Sequence, residues 1–161
     1  MSPLKERLNT MAENFHPTFK VVKTSKECAE FINRPHEDFP AFVQPTHDVL
    51  NIMIDCNYNE ISSFIAKTIH SSIFSNEHDQ ITVGDWRRWN VTIGNFIPPH
   101  PIEILRFLPL IFPLVDGKNL IEWYRKFQSI HPFDDGNGRV GGVIVAVMNK
   151  IHNGEWLAPM Q

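Results

Sequence analysis

The chain has 161 residues, 42% of them hydrophobic, and carries a formal net charge of −3 with a pI near 6.2. That length holds one compact domain with a real core, and the mild acidity excludes the basic excess that drives non-specific binding to phosphate backbones, so nucleic acid is not an expected partner. Cys28 and Cys56 form neither a CxxC pair nor a metal-ligand spacing, and no apolar run reaches the ~18 residues of a membrane span. The opening MSPLKERLNT lacks the apolar stretch of a secretion signal, so the expected compartment is the reducing cytoplasm; an effector exported by a signal-independent route has the same appearance.

Residues 1–46 read as an N-terminal extension of uncertain structure, because Pro17, Pro35, Pro40 and Pro45 break any long periodic pattern. Residues 47–161 read as the body of a single compact domain. Val49, Leu50 and Met53, then Ile61, Phe64, Ile65, Ile69 and Ile73, recur at spacings of three and four and predict helices over 47–56 and 59–74. Between Ser75 and Pro99 the pattern changes: Gly84-Asp85 is a turn pair and Trp86 to Ile97 is rich in aromatic and β-branched residues, which predicts a small β-hairpin. Pro101 opens a helix over 101–115, apolar nearly all round and expected to be central, with Pro109 and Pro113 kinking or splitting it. Leu120, Trp123, Tyr124, Phe127 and Ile130 mark the inward face of another helix. Val140 to Ile151 forms a last one, buried on most sides and closed by Asn153-Gly154. The expected class is mainly α with one hairpin.

Between those last two helices lies His131-Pro132-Phe133-Asp134-Asp135-Gly136-Asn137-Gly138-Arg139. Glycines let the backbone turn tightly, and the unpaired N–H groups where the next helix begins make an anion site. A carboxylate beside such a site becomes useful when Mg²⁺ lies between it and a phosphate, and either Asp135 or Asp134 can hold that metal. Arg139 offers a planar cationic fork for phosphate oxygens, and His131 alone in the loop exchanges a proton near neutral pH. A base, a metal ligand, an anion cradle and a cation are the parts that phosphoryl or nucleotidyl transfer needs. A calcium loop starting at Asp135 fails, since Val140 stands in place of its glycine and Ala146 in place of its last glutamate; a Walker A loop fails for want of Gly-Lys-Ser/Thr.

The segment His131 to Arg139 resembles the Fic family signature H-P-F-x-[D/E]-G-N-G-R-x-x-R at every specified position except the last, where Gly142 replaces an arginine. Asn90 to Pro99 resembles the family's flap and Ile69 to Phe74 the helix before it, so the resemblance spans roughly residues 47–152. It implies a helical Fic-type domain with a β-hairpin flap over the active-site loop, and protein adenylylation: transfer of AMP from ATP, with Mg²⁺, to a Ser, Thr or Tyr hydroxyl of a target protein. It assigns His131 as the base, Asp135 as the Mg²⁺ ligand, Gly136, Asn137, Gly138 and Arg139 as phosphate-binding, and Phe133 as the anchor of the loop. Asn90, Val91, Thr92, Ile93 and Gly94 become the flap that docks an extended target segment by strand addition. Gly142 keeps open another pose or donor (UMP, phosphocholine or phosphate transfer), or a degenerate module that binds a partner or nucleotide without turnover. In the family the missing arginine meets a glutamate of an inhibitory helix; Asn9 to Asn14 matches that pattern by half, and a small separate antitoxin is the other source of such a helix.

Outside the loop the expectations are structural. Trp86-Arg87-Arg88-Trp89 reads as hairpin packing with solvated charges, and His70, His78 and His100 as ordinary histidines without zinc spacing. Gly141-Gly142 costs a helix about 1 kcal/mol each relative to alanine, a cost that suits close approach of a ligand or of another helix.

Overall fold

The computed structural model describes residues 2–36, 39–74 and 82–160; the predicted hairpin's first residues and His78 lie outside them. The described residues form seven α-helices: α1 (Pro3–Ala12), α2 (Ser25–Asn33), α3 (Phe39–Asp55), α4 (Ser63–Ile73), α5 (Pro101–Phe107), α6 (Leu120–Ile130) and α7 (Asn137–Asn153). Strands β1 (Thr18–Val22) and β2 (Trp156–Met160) pair antiparallel, from Thr18 opposite Met160 to Val22 opposite Trp156, and tie the two ends of the chain together. Local chemistry starts the early helices. Side-chain oxygens of Ser2, Thr24 and Ser62 accept from the backbone N–H groups of Lys5, Glu27 and Ile65 at 3.2, 3.1 and 3.2 Å.

The mainly helical class agrees with the sequence reading, and α7 is its axis. Val140 and Val143 to Met148 are fully buried, and the helix packs against α2, α3, α4, α6 and β2 before ending at left-handed Gly154 (φ 83°). Two glycines allow that closeness. A Cβ on Gly141 would lie 3.0–3.1 Å from Phe127, Gln128 and Tyr124 of α6, and one on Gly142 would lie 3.2–3.4 Å from Ile32 of α2 and Pro159 of β2. The Gly141-Gly142 pair therefore serves helix packing. Residues of the N-terminal segment enter the same core, with Leu8, Ala12, Val22, Cys28, Ala29 and Ile32 all buried.

Three elements differ from the sequence reading. First, α3 begins at Phe39 and runs through Pro45. Phe42, Val49, Leu50 and Met53 form one buried face, and that packing outweighs the single hydrogen bond the proline forfeits. Secondly, the helix over 101–115 is cut, as its prolines require, into α5 and two 3₁₀ turns at Leu108–Leu110 and Phe112–Leu114, but it is not central. Ile104, Phe107, Leu108 and Ile111 face the core, whereas Ile102 and Leu105 are 73% and 64% exposed. Thirdly, the hairpin shrinks to one bridge, in which Ile93 and Phe96 exchange two N–H···O bonds of 2.9 Å around left-handed Gly94. No ladder extends it, because Pro98 and Pro99 bring no N–H, and the carbonyls of Trp89 and Pro99 are taken by the Arg87 side chain. Among the described residues no helix is long and apolar enough to cross a membrane, and both cysteines are free thiols.

The two faces of α5 are separable by substitution. Ile104→Ala should cost about 2–5 kcal/mol of unfolding free energy and Ile102→Ser less than about 0.5, both read from urea denaturation. A large loss at Ile102 would contradict its place on the outer face.

Candidate functional site

The loop between α6 and α7 lies against α4. His131 ends α6 in the left-handed region (φ 51°, ψ 61°), its N–H donating to the Phe127 carbonyl at 3.1 Å. A non-glycine residue there is uncommon, and it swings the chain abruptly into the loop. Asn137 then closes the turn. Its side chain accepts from the Phe133 N–H and donates to the Phe133 carbonyl, both at 2.9 Å, and it is itself buried. Gly136 takes φ 87°, and a Cβ there would lie 2.4 Å from the Phe74 ring, so only glycine fits.

Phe133 is fully buried and stacks on His70 with centroids 4.2 Å apart and planes at 15°. His70 is more than a packing histidine. Its Nδ1 accepts from the Gly84 N–H at 3.0 Å, which leaves the proton on Nε2 to donate to the Asp135 carbonyl at 2.9 Å. Burial lowers its pKa, in keeping with that neutral form. Sequence reasoning read His70 as an ordinary histidine, on the surface or in the core, without finding this role, for which no sequence spacing gives a signal.

His131, Asp135, Gly136, Asn137 and Gly138 face one cavity of about 750 Å³, and Ile93 of the flap reaches the same space. Burial, and then the positive charge of Arg87, push the His131 imidazole down to about 4, against the pull of the Gln128 carbonyl and Asp135. Its Nδ1 is buried with no hydrogen-bond partner among the described residues. At neutral pH the ring is therefore uncharged and able to accept a proton. The first amides of α7, at Asn137 and Gly138, precede the first intrahelical bond of that helix, from the Val140 N–H to the Gly136 carbonyl, and point as a helix N-terminus does toward anions.

The two aspartates separate in role. Asp134 Oδ2 accepts from the Thr82 N–H at 2.6 Å and ties the loop to the segment entering the flap, while its Oδ1 is buried without a partner among the described residues. Asp135 is exposed, with Oδ1 accepting from the Gly136 N–H at 2.8 Å. Among the described residues no group of three or more His, Cys, Asp and Glu forms a closed metal cage. One carboxylate on an open cavity beside a helix N-terminus fits a cation that keeps water and phosphate for most of its ligands, which is the habit of Mg²⁺.

Arg139 and Arg87 depart from their sequence readings. Arg139 does not line the cavity; it is buried, donates through Nε to Asn33 Oδ1 at 2.8 Å, and lies over the Phe42 ring at 4.3 Å. From the third position of α7 its side chain points to α2 and α3 instead of along the helix toward the loop. Arg87 is 2% exposed and not solvated, for its guanidinium is spent on backbone carbonyls; Arg88 and Trp89 do remain outside. Gly142 has no room to stand in for a long cation, since Ile32 and Pro159 occupy the space beside it.

Residues 60–148, more than half of the chain, match the Fic/DOC family. This chain belongs to that family. Solved structures agree on the fold. A Fic domain containing signaling protein from Bacteroides thetaiotaomicron superposes with a TM-score of 0.59 at 16% identity, over 91% of this chain and 72% of that one. A Fic family protein from Desulfovibrio desulfuricans gives 0.58 at 14% over 92% and 50%, and IbpAFic2, in a structure where it is covalently tethered to Cdc42, gives 0.58 at 14% over 92% and 56%. This Fic chain thus spans about half the length of the last two. Fic domains are typically transferases that move a nucleotide or similar group to a target.

An imidazole held below its ordinary 6.5 binds fewer protons folded than unfolded, so stability present above that pH is lost as pH falls toward 4. Going from about pH 7 to about pH 4.5, the wild type should lose on the order of 2 kcal/mol more than His131→Gln. Urea denaturation at both pH values reads the difference, and equal losses would mean that the fold does not hold His131 neutral.

Proposed function

We propose that this chain transfers AMP from ATP, with Mg²⁺, to a hydroxyl side chain of a target protein. The observation that carries the reading is the convergence of a neutral, half-buried imidazole and the N-terminus of α7 on one cavity. The target hydroxyl oxygen attacks the α-phosphorus, its proton passes to His131, and the bond to the bridging oxygen breaks with pyrophosphate leaving. The amides of Asn137 and Gly138 face the charge that develops on the phosphoryl oxygens. Asp135 would hold Mg²⁺, which when bound neutralises phosphate charge. Arg139 acts indirectly in this reading, by seating the first turn of α7 on Asn33 and Phe42.

Of Asn90 to Gly94, Ile93 lines the cavity and Asn90, Thr92 and Gly94 are exposed, which supports pairing of this flap with an extended target segment. The covalent tether between IbpAFic2 and Cdc42 supports a protein as the target class. A second reading has one observation behind it: the filled space beside Gly142 favours a different donor, or a module that binds without turnover. For inhibition from within the chain, Glu13 at the end of α1 is exposed and Asn14 lines the cavity, which puts the half-matching segment next to the site.

Incubation with Mg²⁺ and separate nucleotide donors in a cell lysate, followed by mass spectrometry of intact targets, should reveal an AMP adduct. His131→Ala should remove it, a loss of at least about 10²-fold, and Asp135→Ala should remove both adduct and Mg²⁺ dependence while each variant stays folded. Full transfer by His131→Ala would refute the base assignment, and another adduct mass would move the donor.

A further inference from the structure

We propose that Arg87 is a positioning residue that locks the flap and the base into one unit, so that a target segment docked on the flap arrives in register with the His131 imidazole. This rests on the reading of His131 as proton acceptor, but the contacts stand apart from it. The guanidinium donates from Nε to the His131 carbonyl at 2.6 Å and from Nη2 to the Ile130 carbonyl at 3.2 Å. It also donates from Nη2 to the Pro99 carbonyl at 2.5 Å and from Nη1 to the Trp89 carbonyl at 3.1 Å, and the Arg87 main-chain N–H donates to the Pro132 carbonyl at 2.8 Å.

Those partners belong to two groups that, among the described residues, no other side chain joins by hydrogen bonds. Ile130 and His131 close α6, where helix carbonyls lack intrahelical donors, and a left-handed histidine stands where glycine is usual. Trp89 and Pro99 are the two feet of the flap, whose own cross-strand bonding is the single Ile93–Phe96 bridge. One planar fork therefore fixes the backbone of the base and both feet together, which a lysine, a point charge on a flexible stem, does not reproduce. A cation buried against neutral carbonyls is a costly way to secure a loop. The cost is intelligible where geometry and charge are both used. Among the described residues the charged groups facing the imidazole are Arg87 and Asp135, and Asp134 faces the guanidinium in turn.

The test begins with the wild-type protein. Across a urea series, the Arg87 Nε–H and the Ile93 and Phe96 amides should exchange with solvent through a common opening, and independent exchange of the Nε–H would overturn the proposal. Arg87→Gln should speed exchange at Ile93 and Phe96 at least about tenfold, raise the His131 pKa measured by NMR by about a unit or more, and lower kcat about 100-fold with the donor KM unchanged. Arg87→Lys should recover the low His131 pKa but neither the exchange protection nor kcat. A folded Arg87→Gln protein with unchanged flap exchange and His131 pKa would also overturn the proposal. If the wild type transfers nothing from any donor, the proposed function fails, and exchange and titration still decide the role of Arg87.

Discussion

Between α6 and α7 the chain reverses against the core, and the carbonyls and amides of residues 130–137 that this buries need partners that the fold supplies. Asn137 serves both polar groups of Phe133, His70 serves the Asp135 carbonyl, Asp135 serves the Gly136 amide, and Arg87 serves Ile130 and His131. The partners come from α4, from the segment before the flap and from the loop itself. Backbone left unpaired at this depth costs enough that the loop has little freedom to relax into another shape. The amides at the start of α7 face the cavity, where an anionic ligand can use them.

Close packing sets the same limits from the other side. Gly136 admits the Phe74 ring, Gly141 admits α6, and Gly142 admits α2 and β2, so three glycines of one short stretch are each occupied by a different neighbour. Glycine in a helix is unfavourable by itself, and the approach of buried apolar side chains offsets it. The consequence for chemistry is specific. Where the family signature has a second cation, this chain has Ile32 and Pro159 against bare backbone, and the cavity is lined by Asp135, the start of α7 and His131.

Electrostatics at the site follow burial more than pairing. His131 and His70 are both pushed toward the neutral form by desolvation, and Arg87 adds to the effect on His131. Among the described residues only Asp135 of the two loop carboxylates is open to solvent at the cavity. A neutral imidazole beside a lone exposed carboxylate is a small site, suited to a ligand that brings most of its own charge.

Much was legible from residue order. The faces of α6 and α7 show in their helical spacing, the breaks at Pro109 and Pro113 in proline's missing N–H, the end of α7 in Asn153-Gly154, and the loop in its density of glycine, carboxylate and histidine. These are local properties, set within a few residues along the chain. The burial of Arg87 and Arg139, the bonds that make His70 a strut of the loop, the β1–β2 pair joining residues more than a hundred positions apart, and the outer face of α5 were decided only by tertiary structure. A guanidinium in solvent and one seated on carbonyls have the same sequence around them, and which it becomes depends on distant backbone arriving within about 3 Å, the reach of a hydrogen bond.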